Sequence, residues 1–233
     1  MSGASGSRVE YRWVYLWHWP IRAMHWIAAA CIVVLVLTGF YIGRPYFMSS
    51  GEASAHFLMG RMRLAHFVAA GILVGTGIVR FYWLFAGNRF ERWPALFPFS
   101  LRSLRGLLAM ARYYLLFPGA RHPHYLGHNP LQQIAYTGVY ALVALQVVTG
   151  FALYGLADPG GLFSHMTALQ AWFPDGIRGI RFVHHVVTWL LLTFVPIHLY
   201  LGTRADIVDR EGTLSSIFSG GRWVPVGERF EDE

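Results

Sequence analysis

The chain has 233 residues, 55% hydrophobic and 16% aromatic, with only 13% charged and a mean hydropathy of +0.40. A soluble domain carries about 25% charged residues, so the composition excludes an ordinary soluble enzyme and fits one bundle of membrane helices. All 19 basic residues are arginines, set against 12 acidic ones for a net charge of +7. They lie in loops between apolar spans, which reads as topology signalling and lipid headgroup contact rather than nucleic-acid binding.

Taken in order, the N-terminal segment 1–22 has no apolar stretch followed by a small-residue cleavage site. No removable signal peptide is expected, and the first span is expected to act as its own insertion signal. That span covers 23–43 and holds Cys31, the single cysteine, which excludes an internal disulfide, a CxxC redox pair and a thiolate-held iron–sulfur cluster. A second span covers 64–86. In the long loop that follows, LRSLRGLLAMARYYLL (101–116) sets Arg102, Arg105 and Arg112 among leucines and tyrosines, the pattern of an interfacial amphipathic helix. The third span covers 131–157 and the fourth 182–203; residues 204–233 form a tail whose acidic end, GERFEDE, reads as solvated or disordered, or as a contact for a partner. Trp13, Trp17, Trp19, Trp83 and Trp93 suit an aromatic belt at the membrane surface. The expected fold is all-α and integral to the membrane: a four-transmembrane-helix bundle, residues 23–203, with an interfacial helix in one loop.

Fourteen of the 19 arginines fall in the N-terminal segment, at the end of the second span, in the loop after it and in the tail. The opposite side holds Arg44, Arg61, Arg63, Arg178 and Arg181. Both termini and the loop 87–128 are therefore expected in the cytoplasm of a multi-pass protein.

The fourth span, FVHHVVTWLLLTFVPIHLYLGT, carries no charge and three histidines. His184 and His198 are 14 residues apart, close to four helical turns, so they share a face about 21 Å apart along the axis. Ionisable residues in a span are costly and usually functional. By depth, His25 at the start of the first span pairs with His198 on the cytoplasmic side, and His66 at the start of the second pairs with His184 on the outer side. Two imidazoles facing each other across a bundle suit axial ligation of haem iron, giving two haem b groups. His185 is rotated off the shared face and reads as a hydrogen-bonding group at the outer interface or toward a neighbouring subunit. His18, His56, His122, His124, His128 and His165 read as loop or interface residues.

Other residues suit a porphyrin. LTGF (37–40) and VTGF (148–151) place Gly39 and Gly150 at similar outer depth, where a missing side chain admits a macrocycle; small-residue helix packing is the competing explanation. Arg80 lies 14 residues beyond His66 and either pairs with an inner haem propionate or marks the end of the span. No HExxH is present and the spans lack carboxylates, which disfavours a zinc protease and an ion-coupled transporter. A set of satisfied core histidines stays open as the alternative.

Over roughly residues 11–220 the chain resembles the cytochrome b subunit of membrane-bound uptake nickel–iron hydrogenases. The resemblance rests on RAMHW (22–26), LTGFYIGRP (37–45), SGEA (50–53), MGRMRLAHF (59–67), RFYWLFAGNRF (80–90), GHNP (127–130), VTGFALY (148–154) and the histidine-rich fourth span. Formate dehydrogenase gamma subunits are more distantly similar.

The resemblance implies a dihaem b-type subunit of the bacterial inner membrane that anchors a periplasm-facing hydrogenase. It would take electrons from iron–sulfur clusters of the small subunit, itself bound to the large subunit, and pass them through outer and inner haem to membrane quinone. The same ligands, His25, His66, His184 and His198, are implied. Quinone would meet Asn129 and Gln132, with His128 as proton donor, although an N-cap role for Asn129 competes. The chain lacks the cysteines for a hydrogen-activating site, so it would be an electron-transfer subunit. The alternatives are a cytochrome b subunit of another periplasmic dehydrogenase, formate dehydrogenase-like, or an anchor without functional haem.

Overall fold

A computed structural model describes residues 9–48, 56–97, 105–108, 110, 124–207 and 212–233. The chain runs β1 (Tyr11–Tyr15), α1 (Trp19–Gly43), α2 (Leu58–Ala86), α3 (Trp93–Leu96), α4 (Pro130–Ala157), a 3₁₀ helix (Ser164–Trp172), α5 (Ile177–Ile207), α6 (Thr213–Ser219) and β2 (Gly221–Pro225). Helices α1, α2, α4 and α5 are long and apolar enough to cross a membrane. The chain is a multi-pass helical membrane protein, as its composition requires. Of the expected interfacial helix 101–116, residues 105–108 are helical and the rest lie almost wholly outside the described residues.

The four helices exceed the spans read from hydropathy. Helix α1 begins four residues early, with Pro20 in its first turn where a missing N–H costs nothing; α2 begins six early. Helix α5 has 31 residues and takes in Arg178 and Arg181 before the apolar stretch and Arg204 after it. Intrahelical hydrogen bonding does not stop where the hydrocarbon ends, so charged turns continue into the headgroup layer while hydropathy marks only the apolar middle.

Two compact units make up the chain, one of Ala23–Tyr82 with Val139–Val195, the other of Met1–Arg22, Trp83–Gly138 and Pro196–Glu233. The first holds most of the spanning helices. Their outward side chains are large and apolar: Val33, Leu37, Ile78 and Trp189 are all more than half exposed, as expected where lipid is the solvent.

The second unit gathers both ends of the chain, a feature hydropathy does not report. Strands β1 and β2 pair antiparallel, Trp13 opposite Trp223, and the two indoles meet edge to face at 5.3 Å. Leu16, Phe90, Leu126 and Val224 form a buried apolar cluster, flanked by Val14, Trp17 and Phe230. The acidic tail is tied down rather than free. The Asp232 carboxylate accepts from the Leu126 and Gly127 amides, both at 2.7 Å, and Arg12 donates to Glu233 at 2.5 Å. The strand pairing joins the two ends of the chain.

Candidate functional site

The TGF tripeptides of α1 and α4 meet histidines on the next spanning helix. Thr38 Oγ1 lies 2.9 Å from His66 Nδ1, and Thr149 Oγ1 lies 2.9 Å from His184 Nδ1. Each hydroxyl donates its single proton to its own helix. Thr38 donates to the Val34 carbonyl at 2.6 Å, and Thr149 to the Leu145 carbonyl at 2.7 Å. The hydroxyl oxygen can then only accept from the imidazole. Nδ1 therefore carries the ring proton on both histidines, and Nε2 keeps its lone pair.

The glycine after each threonine completes the arrangement. A Cβ on Gly39 would stand 3.3 Å from His66 Cε1, and one on Gly150 would stand 3.5 Å from His184 Cε1. In each ring the Nδ1–Cε1 edge rests on a Thr-Gly dipeptide. The two glycines that the sequence offered to a macrocycle thus lie against the imidazoles. His184 lies near enough to both His66 and His185 for charges on them to interact. A second clamp holds the His184 turn: Gln146 Nε2 donates to Thr188 Oγ1 at 3.0 Å, and that hydroxyl donates to the His184 carbonyl at 2.9 Å.

His185 is placed differently. It is exposed, its ring meets Phe40 edge to face at 6.2 Å, and a Cβ on Gly43 would fall 2.9 Å from its Cε1. Packing against the end of α1 gives it no threonine equivalent to Thr149.

His25 and His198 are both half-buried; His25 sits in one compact unit, beside Trp26 at 5.1 Å, and His198 in the other. Arg80 Nε donates to Tyr140 Oη at 3.0 Å. Asn129 and Gln132 close a reciprocal capping box at the start of α4. Asn129 Oδ1 accepts from the Gln132 amide at 2.9 Å, and Gln132 Oε1 accepts from the Asn129 amide at 3.0 Å, with Pro130 between them at the first helical position. Those oxygens serve the helix terminus. His128 packs its ring between Trp17 and Tyr136, each at 4.9 Å.

Sequence reasoning missed Thr38 and Thr149, because a mid-span threonine ordinarily bonds back to its own helix; the repeated TGF was the available signal. It also missed Glu91. This carboxylate is 1% exposed and accepts from the His18 amide at 2.6 Å, Trp83 Nε1 at 2.9 Å and the Asn88 amide at 3.1 Å. It also lies 2.9 Å from His18 Nδ1. Burial would push the carboxyl up, but the bonds from His18, Trp83 and Asn88 outweigh it and hold the pKa below the ordinary value. His18, read as surface, is half of this lock.

Among the described residues no three His, Cys, Asp or Glu side chains converge to hold an ion. Two imidazoles with free Nε2 atoms and fixed rings fit a group that asks for two axial nitrogens, which a haem does. Such a pair, in a protein with four helices long and apolar enough to cross a membrane, is what a b-type cytochrome of the membrane needs.

The family description "prokaryotic cytochrome b561" matches residues 16–220, and the chain belongs to that family. It is 38% identical over 227 residues to a probable Ni/Fe-hydrogenase B-type cytochrome subunit of Bradyrhizobium diazoefficiens, covering 94% of this chain and 90% of that one. A protein of the same description from Cupriavidus necator is 37% identical, covering 94% and 91%. The Ni/Fe-hydrogenase 1 counterpart of Escherichia coli K12 is 33% identical, covering 92% of each chain. The resemblance read from the sequence motifs is borne out.

Proposed function

We propose that this protein is the dihaem b-type cytochrome subunit of a membrane-bound nickel–iron hydrogenase, linking that enzyme to membrane quinone. The observation that carries the reading is the twin arrangement at His66 and His184, two imidazoles on separate helices with the proton held on Nδ1 and Nε2 left to ligate. These two would hold one haem at the end of the bundle away from the termini. His25 and His198 would hold the other at the opposite depth, a pairing that rests on their positions in the sequence. Bound haem supplies a one-electron couple whose potential responds to its axial ligands and surroundings.

The chain's own part is to orient the imidazoles, keep their lone pairs free and surround them with helices that exclude water. The arginine asymmetry supports cytoplasmic termini in a bacterial inner membrane. That orientation turns the His66–His184 end toward a periplasmic small subunit and, through it, the large subunit. The names of the relatives favour hydrogenase over a formate dehydrogenase-like partner. Quinone near His128, Asn129 and Gln132 fits the side that holds the termini, where Arg80 is a candidate for contact with the inner haem.

A reduced-minus-oxidised visible spectrum with haem quantification, on protein purified in detergent, tests this. The expected result is two low-spin, bis-histidine b haems per chain, with the nickel-containing large subunit copurifying from the native membrane. A well-folded sample without haem would reduce the protein to an anchor. Copurification of a different dehydrogenase would move it to the alternative partner.

A further inference from the structure

Thr38 and Thr149 stand in equivalent places in two helices that are not neighbours in sequence. Each precedes a glycine, gives its proton to the carbonyl four residues back, and receives the imidazole of the next spanning helix at the same 2.9 Å. Helix packing alone explains a glycine or a back-bonded threonine. It does not explain why both threonines present a hydroxyl lone pair to a histidine Nδ1 while both following glycines lie against that ring's Cε1. Neither α2 nor α5 shows a matching Thr-Gly dipeptide against a histidine among the described residues.

We propose that Thr38 and Thr149 are a matched pair of positioning residues that fix the tautomer of His66 and His184 and, by accepting from Nδ1, lower the potential of the iron these histidines ligate. The inference rests on the proposed function, which supplies the haem. An acceptor on Nδ1–H gives the ring partial imidazolate character and makes Nε2 a stronger donor. A stronger donor favours the oxidised iron over the reduced one, so losing the acceptor raises the midpoint potential. With the hydroxyl proton given to the backbone carbonyl, each threonine meets the ring as an acceptor.

The test is a spectroscopic redox titration of the whole chain in detergent, resolving the two b-type components, on Thr38→Val, Thr149→Val, the double variant and the two Thr→Ser variants. Valine keeps the branched shape and removes the hydroxyl. Each valine should move one and the same component upward, the double should move it by about the sum, and serine should restore the wild-type value while the second component stays in place. Full haem content with wild-type potentials in both valine variants overturns the proposal and leaves the haem reading intact. If a valine variant loses haem, serine decides: recovery of haem at the wild-type potential supports the role, and loss with serine as well overturns it. Retention of both haems in a His66→Ala, His184→Ala double variant removes these two histidines as ligands and the proposal with them, whereas a well-folded wild-type sample without haem fails the haem reading itself, so the two failures are distinguishable.

Discussion

Glu91 and His184 are both polar side chains held out of bulk water, and their surroundings show two ways of making that tolerable. Glu91 keeps its charge and collects donors from His18, Trp83 and Asn88 until its oxygens are satisfied. It sits in the unit that gathers the chain's ends, beside an apolar cluster of the kind any soluble domain has. His184 has one neutral partner, Thr149, that satisfies one nitrogen and leaves the other free. A group whose every bond is made is structural, whereas a group with one bond fixed and one withheld is poised for a ligand.

The largest test of that contrast is to remove the poised groups. His66→Ala or His184→Ala should abolish one of two b-type haems and hydrogen-to-quinone electron flow, while His185→Ala keeps both haems. Haem quantification by spectrum checks this, and haem loss in the His185 variant would move the outer ligand one residue along.

Removing the satisfied group should act on stability. Glu91→Ala leaves the Trp83 indole and two backbone amides without their acceptor, and breaking a buried charged network costs about 3–5 kcal/mol. Thermal unfolding in detergent should show the loss, with the haem spectrum of surviving protein unchanged. The pH dependence follows from the direction of the shift. The folded carboxyl titrates below the ordinary value of 4.5, so its stabilisation is present above that value and is lost as pH falls below it. Glu91→Gln should flatten that acid limb; an unaltered limb would mean that Glu91 does not set it.

These regions also differ in how much of them the sequence disclosed. The spans are legible because lipid imposes a long apolar run on each helix, and 14-residue spacing puts His184 and His198 on one face whatever else the chain does. The β1–β2 pair is not legible, since Tyr11–Tyr15 and Gly221–Pro225 are five-residue strands that join only when the termini meet, some 200 residues apart in the chain. Nothing in the sequence marks Glu91, an acid in the loop after the second span. Only the fold brings His18 and Trp83 to it. Thr38 and Thr149 were in view inside LTGF and VTGF, but their role depends on which helix faces them, and hydropathy does not carry that information.

The ring seats should give intermediate effects, graded by space. A methyl on Gly39 would stand 3.3 Å from its imidazole, a tight contact, and one on Gly150 3.5 Å, an ordinary van der Waals contact; overpacking at Gly39 costs about 1–3 kcal/mol. Gly39→Ala should therefore lower haem retention on dilution or heating more than Gly150→Ala. Equal retention would mean that α1 and α2 adjust without cost.

The smallest effect separates a helix cap from a ligand contact at the start of α4. Asn129 caps that helix reciprocally with Gln132, and replacing an N-cap asparagine by alanine costs about 1 kcal/mol, while serine caps nearly as well. Asn129→Ala should be slightly less stable, and Asn129→Ser should match wild type in thermal unfolding. Quinone reduction kinetics then divide the roles, because serine retains the cap but not the amide. An unchanged KM for quinone in Asn129→Ser makes this residue part of the terminus that positions α4, as Glu91 is part of the loop that holds His18. A raised KM with unchanged stability means that the Asn129 amide reaches quinone while its oxygen caps the helix, and the division between satisfied and poised groups would then run through a single side chain.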